Sequence, residues 1–211
     1  MAETKPSVSA VIPAYFEEKT IASVVSRCLP FVDEVLVVND GSTDDTSINA
    51  RNAGARVIEN SQNMGVLKTI RRGMREAKGD IIVTLDADGQ HDPTEIPILI
   101  QPILDGKADL VMGARPSFPY WSEWFLTWLT SLRVPVKDAA TGFRAIKQEI
   151  AAEMNVYGEC TCGTFVIEAA RLGARVASVP ISIREREGPR RIQTRHFRQF
   201  FIVLRDVMRF W

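Results

Sequence analysis

The segment 85–91, with the sequence LDADGQH, carries the residue types best suited to bind a cation. Asp86 and Asp88 lie two residues apart directly after an apolar run, so in an extended segment both carboxylates lie on one face and can reach one metal ion. A divalent metal held there could bind a diphosphate and stabilise the charge on a leaving group. The alternative is a solvated acidic turn before the next helix, because an isolated Asp-x-Asp pattern is common. The position at the end of a buried strand favours the metal site.

Asp40 is the second candidate, in the segment 37–46 with the sequence VVNDGSTDDT. A fixed, ionised carboxylate there could accept hydrogen bonds from the ring N–H groups of a nucleobase. The alternative is a turn in which Asp40 or Ser42 caps the following helix. Both interpretations hold together if Thr43 is the cap and Asp40 is left for a ligand.

These side chains need elements that bring them to one edge of a sheet. The apolar patterns predict strands over 8–12, 34–38, 56–58, 80–85, 108–112 and 176–183. They predict helices over 20–29, 67–77, 121–132, 165–172 and 196–211, with another that begins at Pro93. Strands separated by helices indicate an α/β fold with a mostly parallel sheet. Ligands of such sheets bind at the carboxyl ends of the strands, where Pro13, Asp40 and Asp86 fall.

Composition excludes several classes of protein. The 211 residues are 45% hydrophobic and 25% charged, which is typical of a globular chain. Lys and Arg together number 26, as do Asp and Glu, so the chain lacks the surplus of cations that nucleic-acid binding needs. No apolar run approaches the ~20 residues of a membrane span, and the N-terminus has no signal-peptide pattern. A Walker loop and a Gly-x-Gly-x-x-Gly motif are both missing, so neither ATP hydrolysis nor dinucleotide redox chemistry is indicated.

Five motifs in a fixed order point to a known family. They are VIPAYFEE, VVNDGSTDDT, NMG followed by RRG, LDADGQ and DAATGFR. Together they resemble family 2 glycosyltransferases of the GT-A fold, and within them the polyprenol-phosphate glycosyltransferases of the dolichol-phosphate mannose synthase kind. The resemblance runs from about residue 8 to residue 183. It implies a GT-A catalytic domain over residues 1–190. The pattern of residues 191–211 predicts that a basic amphipathic helix at a membrane interface follows this domain.

The resemblance also implies roles for individual residues. The nucleotide would be bound by Pro13, Ala14, Glu17, Asp40, Gly65, Lys68 and Asp86. Mn²⁺ or Mg²⁺ on the donor diphosphate would be held by Asp86, Asp88 and Gln90. The catalytic positions would be Asp138, which matches the family's general base, and Arg115 and Arg144, which match basic positions that engage an acceptor phosphate. A late loop at the diphosphate or acceptor would contribute Arg184, Arg190 and Arg191.

The role of Asp138 depends on the acceptor. A phosphate monoester is largely ionised at neutral pH, so Asp138 would mainly position it. A sugar hydroxyl would require Asp138 to act as a true base. The alternative to both is a loop carboxylate paired with Lys137 or Arg133, and Arg115 and Arg144 could likewise be ordinary ion-pair residues.

Two segments predict contact with a membrane surface. In a helix over 196–211, one side would carry Phe197, Phe201, Leu204, Met208 and Trp211, and the other side three arginines. The last 28 residues hold eight Arg against three acidic residues. Trp121, Trp124 and Trp128 form a second aromatic stripe, of the kind found at the headgroup level. Packing on the protein core is the alternative for both segments. The apolar pattern still runs at residue 211, so we also expect transmembrane helices beyond it in a longer natural protein.

The sequence therefore predicts a metal-dependent, inverting glycosyltransferase at the cytoplasmic face of the cell membrane. Its expected donor is GDP-mannose and its expected acceptor a polyprenyl (dolichyl) phosphate or another prenyl-linked molecule. One alternative keeps the fold with a UDP-sugar donor such as UDP-glucose or UDP-GlcNAc. A nucleotidyltransferase would carry a Gly-rich loop where this chain has PAYFE at 13–17. A non-catalytic nucleotide-sugar binding module is the third class.

Overall fold

Apolar β-branched runs form one seven-stranded mixed sheet with helices on both faces. The computed structural model describes residues 5–158 and 161–184, and five helical residues near the C-terminus, Phe201, Leu204, Arg205, Met208 and Arg209. The strands are β1 Val8–Ala14, β2 Glu34–Asn39, β3 Arg56–Glu59, β4 Ile81–Thr84, β5 Leu110–Ala114, β6 Arg144–Lys147 and β7 Val176–Pro180. Their order is β3-β2-β1-β4-β6-β5-β7, and β6 is antiparallel to both of its neighbours while the other pairs are parallel. The predicted mostly parallel α/β fold is confirmed.

Helices cover the two faces of this sheet. They are α1 Ile21–Cys28, α2 Thr46–Asn52, α3 Val66–Glu76, α4 Ile96–Leu104, α5 Trp121–Ser131, α6 Gln148–Glu153 and α7 Thr164–Arg171, with short 3-10 turns at Leu29–Phe31 and Pro93–Glu95. Side chains alternate along β1, so Ala10 and Ile12 pack with α1, α2 and α4, while Val11 packs with α3, α6 and α7 on the other face. Among these described helices, none is both long enough and apolar enough to cross a membrane.

Pro13 lies inside β1, which extends two residues beyond the predicted end of that strand. Residues with odd numbers in β1 direct their backbone groups toward β4, as shown by the hydrogen bond from Leu85 N to Val11 O. Pairing with β4 ends at Val11, while pairing with β2 continues to Ala14. The N–H that proline lacks is therefore not needed at this position.

Two elements in the second half were missed in the sequence analysis, β6 and α6. The strand β6 has the sequence RAIK, so its charged ends hide the short apolar pattern of a buried strand. Its insertion between β4 and β5 has a direct consequence for function. It brings the segment 138–143, which precedes β6, to the carboxyl end of β4, where Asp86 follows.

Candidate active site

The loop after β4 is a compact turn that presents Asp86 to solvent. The Oδ1 atom of Asp88 accepts a hydrogen bond from the backbone N–H of Gln90 at 3.1 Å, and Gly89 makes this turn possible with a φ of +77°. The backbone N–H of Asp86 donates to His91 Nδ1 at 3.3 Å. The side chain of Asp86 is 48% exposed, so its carboxylate is open to a ligand.

His91 supports this loop from the protein interior. It is 5% exposed, and its ring stacks on Phe143 with the ring centroids 5.2 Å apart. Burial lowers the pKa of His91, although the carboxylates of Asp86 and Asp88 act in the opposite direction. A neutral imidazole is the form that can accept the hydrogen bond from Asp86 N–H at Nδ1.

A cleft of about 210 Å³ opens beside residues 86–91, the loop after β4 that we call the metal loop. One wall is formed by Asp86, Gln90 and His91, and the other by residues from the second half of the chain. That second wall consists of Arg115, Pro116, Ser117, Pro119, Ala140, Thr141, Gly142 and Ile183. The carboxylate that begins the metal loop thus faces the two segments that follow β5 and precede β6.

Asp138 is buried beneath the second wall, with its side chain fully inaccessible. Arg115 binds it at two points, with Nε 2.6 Å from Oδ2 and Nη2 3.0 Å from Oδ1. The backbone N–H groups of Arg115 and Ala140 also donate to this carboxylate. Its observed partner is therefore Arg115, so the suggested pairing with Lys137 or Arg133 is wrong. Asp138 holds the turn together and does not face the cleft, so its assignment as general base stays a prediction.

Arg115 has a second acidic partner that the sequence analysis missed. Its Nη2 atom donates to Glu123 Oε2 on α5 at 2.8 Å. Burial alone would lower the pKa of Arg115, but the hydrogen bond and charge of Asp138, together with Glu123, raise it. Arg115 lines the cleft as a permanent cation, while Glu123 ties the start of α5 to the site.

Arg144 is buried behind the cleft, so its proposed contact with an acceptor phosphate stays a prediction. It is 1% exposed, and its Nη2 atom donates to Thr141 O at 2.7 Å and to Thr161 Oγ1 at 3.1 Å. The guanidinium lies 4.2 Å from the centre of the Phe165 ring, a cation–π contact. Burial lowers the pKa of Arg144 to about 10, while Asp86 and Asp138 favour its charged form, so it remains protonated at neutral pH. Arg144 supports the turn from inside, and a contact with an acceptor would require rearrangement.

Asp40 is also buried and already engaged by the protein. Oδ1 accepts hydrogen bonds from Asn60 Nδ2 and from the backbone N–H of Met64, both at 2.8 Å, and Oδ2 accepts one from Gly65 N–H at 2.9 Å. The exposed fraction of the residue is 4%. Asp40 therefore organises the turn that leads into α3, and no capping hydrogen bond from it to α2 is present. The proposed contact with a nucleobase stays a prediction.

The remaining nucleotide positions lie near the carboxyl ends of β1 and β2. The backbone N–H of Asp40 donates to Ala14 O at 2.8 Å, which places the two strand ends side by side. Pro13 and Glu17 are half-buried, and Glu17 Oε2 accepts a hydrogen bond from Thr20 at 2.9 Å. Gly65 has a φ of +87° directly before α3, and Lys68 is exposed on that helix.

Arg184 is paired with Asp92, a contact that the sequence analysis did not predict. Asp92 also accepts a hydrogen bond from Arg27 at 3.0 Å, and the backbone N–H of Arg184 donates to Gln90 O at 2.8 Å. The segment after β7 is thereby joined to the metal loop. Arg190 and Arg191 lie outside the described residues.

The donor set of the metal loop fits a hard divalent cation. Among the residues that the structure describes, no group of three or more His, Cys, Asp or Glu side chains could hold a metal ion without further ligands. Asp86, Asp88 and Gln90 offer carboxylate and amide oxygens, which suit Mg²⁺ and Mn²⁺. Mg²⁺ is commonly held by one or two carboxylates together with substrate phosphates, so a nucleotide diphosphate would complete the coordination.

The three tryptophans of α5 are exposed, as a membrane-facing stripe requires. The exposed fractions are 61% for Trp121, 56% for Trp124 and 46% for Trp128, while Leu126 and Leu129 of the same helix are buried. The core-packing alternative is therefore wrong for these three side chains. Of the C-terminal aromatic side, Phe201 and Met208 are exposed and Leu204 is half-buried, while Phe197 and Trp211 lie outside the described residues.

The sequence and the fold both match known glycosyltransferases. The family model for glycosyl transferase family 2 matches residues 9–157. The dolichol-phosphate mannosyltransferase of Pyrococcus furiosus is 30% identical over 175 residues, which cover 72% of this chain and 49% of that enzyme. The dodecaprenyl-phosphate galacturonate synthase of Rhizobium johnstonii is 26% identical over 174 residues, with 72% and 51% covered. The chain thus spans about half the length of these two enzymes.

A solved structure gives the match in three dimensions. It is glucosyl-3-phosphoglycerate synthase from Mycobacterium tuberculosis in complex with Mn²⁺, UDP-glucose and phosphoglyceric acid. The TM-score is 0.81 at 26% sequence identity, and the match covers 97% of this chain and 79% of that one. The GT-A fold expected from the motifs is thereby confirmed. The metal in that relative supports a divalent cation as cofactor here.

Proposed function

The chain belongs to glycosyl transferase family 2 and is a nucleotide-sugar glycosyltransferase, and we propose that it transfers mannose from GDP-mannose to a polyprenyl phosphate at a membrane surface. The relatives that act on dolichol phosphate and dodecaprenyl phosphate support a lipid phosphate as the acceptor. The enzyme class excludes the non-catalytic binding module as an interpretation, and the family excludes the nucleotidyltransferase.

The position of α5 at the cleft is the observation that supports the proposal of a lipid-linked acceptor. Glu123 on this helix binds Arg115 in the cleft wall, while Trp121, Trp124 and Trp128 of the same helix are exposed. Exposed tryptophans suit the headgroup region of a bilayer, where a lipid phosphate also lies. A helix that touches both the cleft and the bilayer would bring the acceptor phosphate to the donor.

The proposed reaction is a single displacement at the anomeric carbon of the sugar. An ionised oxygen of the acceptor phosphate forms the new C–O bond, and the bond to the nucleoside diphosphate breaks with its electron pair on the leaving oxygen. A divalent metal, when bound by Asp86, Asp88 and Gln90, supplies charge stabilisation for that diphosphate. The acceptor needs no general base, which agrees with the burial of Asp138.

Arg115 is the cation of the described cleft that we assign to the acceptor phosphate. Three of its hydrogen bonds go to Asp138 and Glu123 through Nε and Nη2, and Nη1 takes no part in them. The two carboxylates hold the guanidinium plane fixed, so Nη1 is the donor that remains for the acceptor phosphate. Arg190 and Arg191 are proposed as further contacts to the diphosphate or acceptor from the sequence resemblance alone.

A UDP-sugar is the second candidate donor. It is favoured by the similarity to the UDP-glucose complex of glucosyl-3-phosphoglycerate synthase, which covers 97% of this chain. The buried state of Asp40 does not separate the two donors, since guanine and uracil both offer N–H donors to an acceptor. The mechanism at the metal loop is the same for either nucleotide.

A donor-hydrolysis screen tests the proposal. Purified protein with Mn²⁺ is mixed with GDP-mannose, UDP-glucose, UDP-GlcNAc or UDP-galactose, with and without a short polyprenyl phosphate, and released nucleoside diphosphate is measured. We expect GDP release that increases with the lipid phosphate and stops on addition of EDTA. Release of UDP would replace the donor assignment and leave the mechanism intact. Donor binding without release, with every acceptor, would contradict the proposal.

The same acceptor leads us to propose a location at the cytoplasmic face of the cell membrane. Sugar nucleotides are the donors, and the exposed tryptophans of α5 are the proposed contact with the bilayer. The basic segment near the C-terminus adds attraction to anionic lipids. Cell fractionation with a salt wash tests this proposal, since a peripheral protein is released and one anchored by further segments is retained.

A further inference from the structure

Gly142 is in unusually close contact with the carboxylate of Asp86. A Cβ atom added to Gly142 would lie 2.5 Å from Asp86 Oδ2, 2.8 Å from Oδ1 and 2.9 Å from Cγ, and these are its three nearest heavy atoms. The φ of Gly142 is not among the positive values of the chain, so its backbone conformation is open to other residues. An alanine at this position would therefore displace the Asp86 carboxylate from the place that it occupies.

The turn that contains Gly142 cannot easily move away from this contact. Thr84, at the end of β4, donates through Oγ1 to Gly142 O at 2.9 Å. Arg144, at the start of β6, holds Thr141 O at 2.7 Å from within the core. The side chain of Phe143, between them, is fully buried and stacks on His91. The backbone of Gly142 is thus fixed on both sides by the sheet.

The carboxylate of Asp86 also lies close to His91. The Nδ1 atom of His91 lies 3.8 Å from Asp86 Oδ2 and accepts the backbone N–H of the same residue. The Oδ2 atom of Asp86 therefore lies near both an imidazole and the Cα of Gly142, while its side chain remains open to the cleft. A side chain that is already held in place loses little conformational freedom when a metal binds, and this increases the affinity for the metal.

We propose that Gly142 is a positioning residue that fixes the Asp86 carboxylate in its metal-binding orientation. The inference rests on the proposed metal site of Asp86, Asp88 and Gln90, and it adds a residue from the opposite wall of the cleft. Gly142 lies in the turn that Asp138 and Arg115 stabilise. The cleft wall assigned to the acceptor thereby also sets the geometry of the metal that binds the donor.

The substitution Gly142→Ala tests this inference through Mn²⁺ binding, measured by electron paramagnetic resonance with Mn²⁺ alone and with Mn²⁺ plus GDP or UDP. We expect the affinity for Mn²⁺ to fall roughly 10- to 100-fold, the range seen when residues that support metal ligands are changed. Gly73→Ala is the matched control, because its Cβ would lie 2.3 Å from Val11 Cγ1 in the core, away from the metal loop. We expect that variant to lose stability and to keep the Mn²⁺ affinity of the parent protein.

Asp86→Ala separates this inference from the proposed metal site. If Asp86→Ala and Gly142→Ala both bind Mn²⁺ like the parent protein, the metal site itself is wrong. If Asp86→Ala loses Mn²⁺ while Gly142→Ala keeps full affinity, the metal site stands and the role of Gly142 is rejected.

A double-mutant cycle covers the case in which Gly142→Ala folds poorly. The loss of unfolding free energy caused by Gly142→Ala is measured in the parent protein and in the Asp86→Ala background. We expect the loss to disappear when the Asp86 carboxylate is absent, because the three heavy atoms nearest to the added methyl group all belong to Asp86. An equal loss in both backgrounds would overturn the inference.

Discussion

Asp138 and Arg115 form a two-point ion pair under the cleft, with Arg115 Nε 2.6 Å from Asp138 Oδ2 and Nη2 3.0 Å from Oδ1. The Asp138 side chain is inaccessible and that of Arg115 is 13% exposed. The pair therefore places a fixed cation in the cleft wall and its counter-charge in the core. This arrangement fits an acceptor that arrives already ionised.

Replacement of Asp138 by Asn tests whether Asp138 is a positioning residue or a base that abstracts a proton from the acceptor. The substitution removes the charge of the buried Asp138 and leaves the partly buried Arg115 without its main partner, and the loss of one member of a buried ion pair costs about 3–5 kcal/mol. We expect a comparable decrease in the free energy of unfolding, measured by urea denaturation. Glu123→Gln is the control, since it removes the other and more exposed carboxylate on Arg115 and should cost less. Full stability of Asp138→Asn together with lost turnover would instead identify Asp138 as a base.

Asp40→Asn distinguishes a structural carboxylate from one that contacts the nucleobase. An amide cannot accept hydrogen bonds on both sides, so one of the N–H groups of Asn60, Met64 and Gly65 would face an NH₂ group. We expect a loss of about 1–3 kcal/mol in the free energy of unfolding. Asp45→Asn is the control, since Asp45 is exposed and makes no capping hydrogen bond to α2. Unchanged stability with weaker donor binding in calorimetry would favour the contact with the base.

The exposed tryptophans of α5 predict binding to lipid vesicles. Replacing Trp121, Trp124 and Trp128 by Ser should weaken partition onto vesicles that contain anionic lipid by at least roughly tenfold, equivalent to about 1.4 kcal/mol. Flotation of the protein with vesicles measures this change. The control is Ile98→Ser on α4, whose side chain is also exposed but lies on another helix. An equal effect of both variants would argue against a specific role for α5.

The lowered pKa of Asp92 predicts that the protein loses stability in acid. Burial alone would raise its pKa, but hydrogen bonds from Arg184, Thr94 and Arg27 lower the pKa from 3.8 to about 2. Because the folded-state pKa is the lower one, Asp92 stabilises the fold above about pH 4, and this contribution disappears as the pH falls through 2.

Urea denaturation as a function of pH measures this contribution. The difference in stability between the parent protein and Asp92→Asn should be constant above about pH 4 and should shrink toward pH 2. Asp105→Asn is the control at a more exposed ion pair with Lys107. A difference that does not depend on pH would show that the charge of Asp92 is not what stabilises the contact.

The sequence predicted the first half of the sheet because its strands are short apolar runs with clear turns between them. The strands β1, β2 and β4 lie within one or two residues of their predicted ends. β6 was missed because Arg144 begins it, and a buried arginine cannot be distinguished from a surface one by its type. The ion pair between Asp138 and Arg115 was also missed. Arg115 lies 23 residues away along the chain, whereas the partners considered from the sequence were residues close to Asp138.

The sequence predicted the metal loop because three oxygen-bearing side chains follow one strand at short spacing. The support behind it could not be found, because it depends on the insertion of β6 between β4 and β5. Gly142 contacts Asp86 across 56 residues, and nothing in the local sequence at either position indicates that contact.

The two walls of the cleft are encoded by separate stretches of the chain. The wall with the metal loop ends at His91, and the opposite wall begins at Arg115. Recombination at the turn after α4 would therefore replace the wall that begins at Arg115 by that of a homologue. We expect such an exchange to change the choice of acceptor and to leave the donor site unchanged. Any such chimera must preserve the contact between Asp86 and Gly142, because this contact joins the two exchanged parts of the chain.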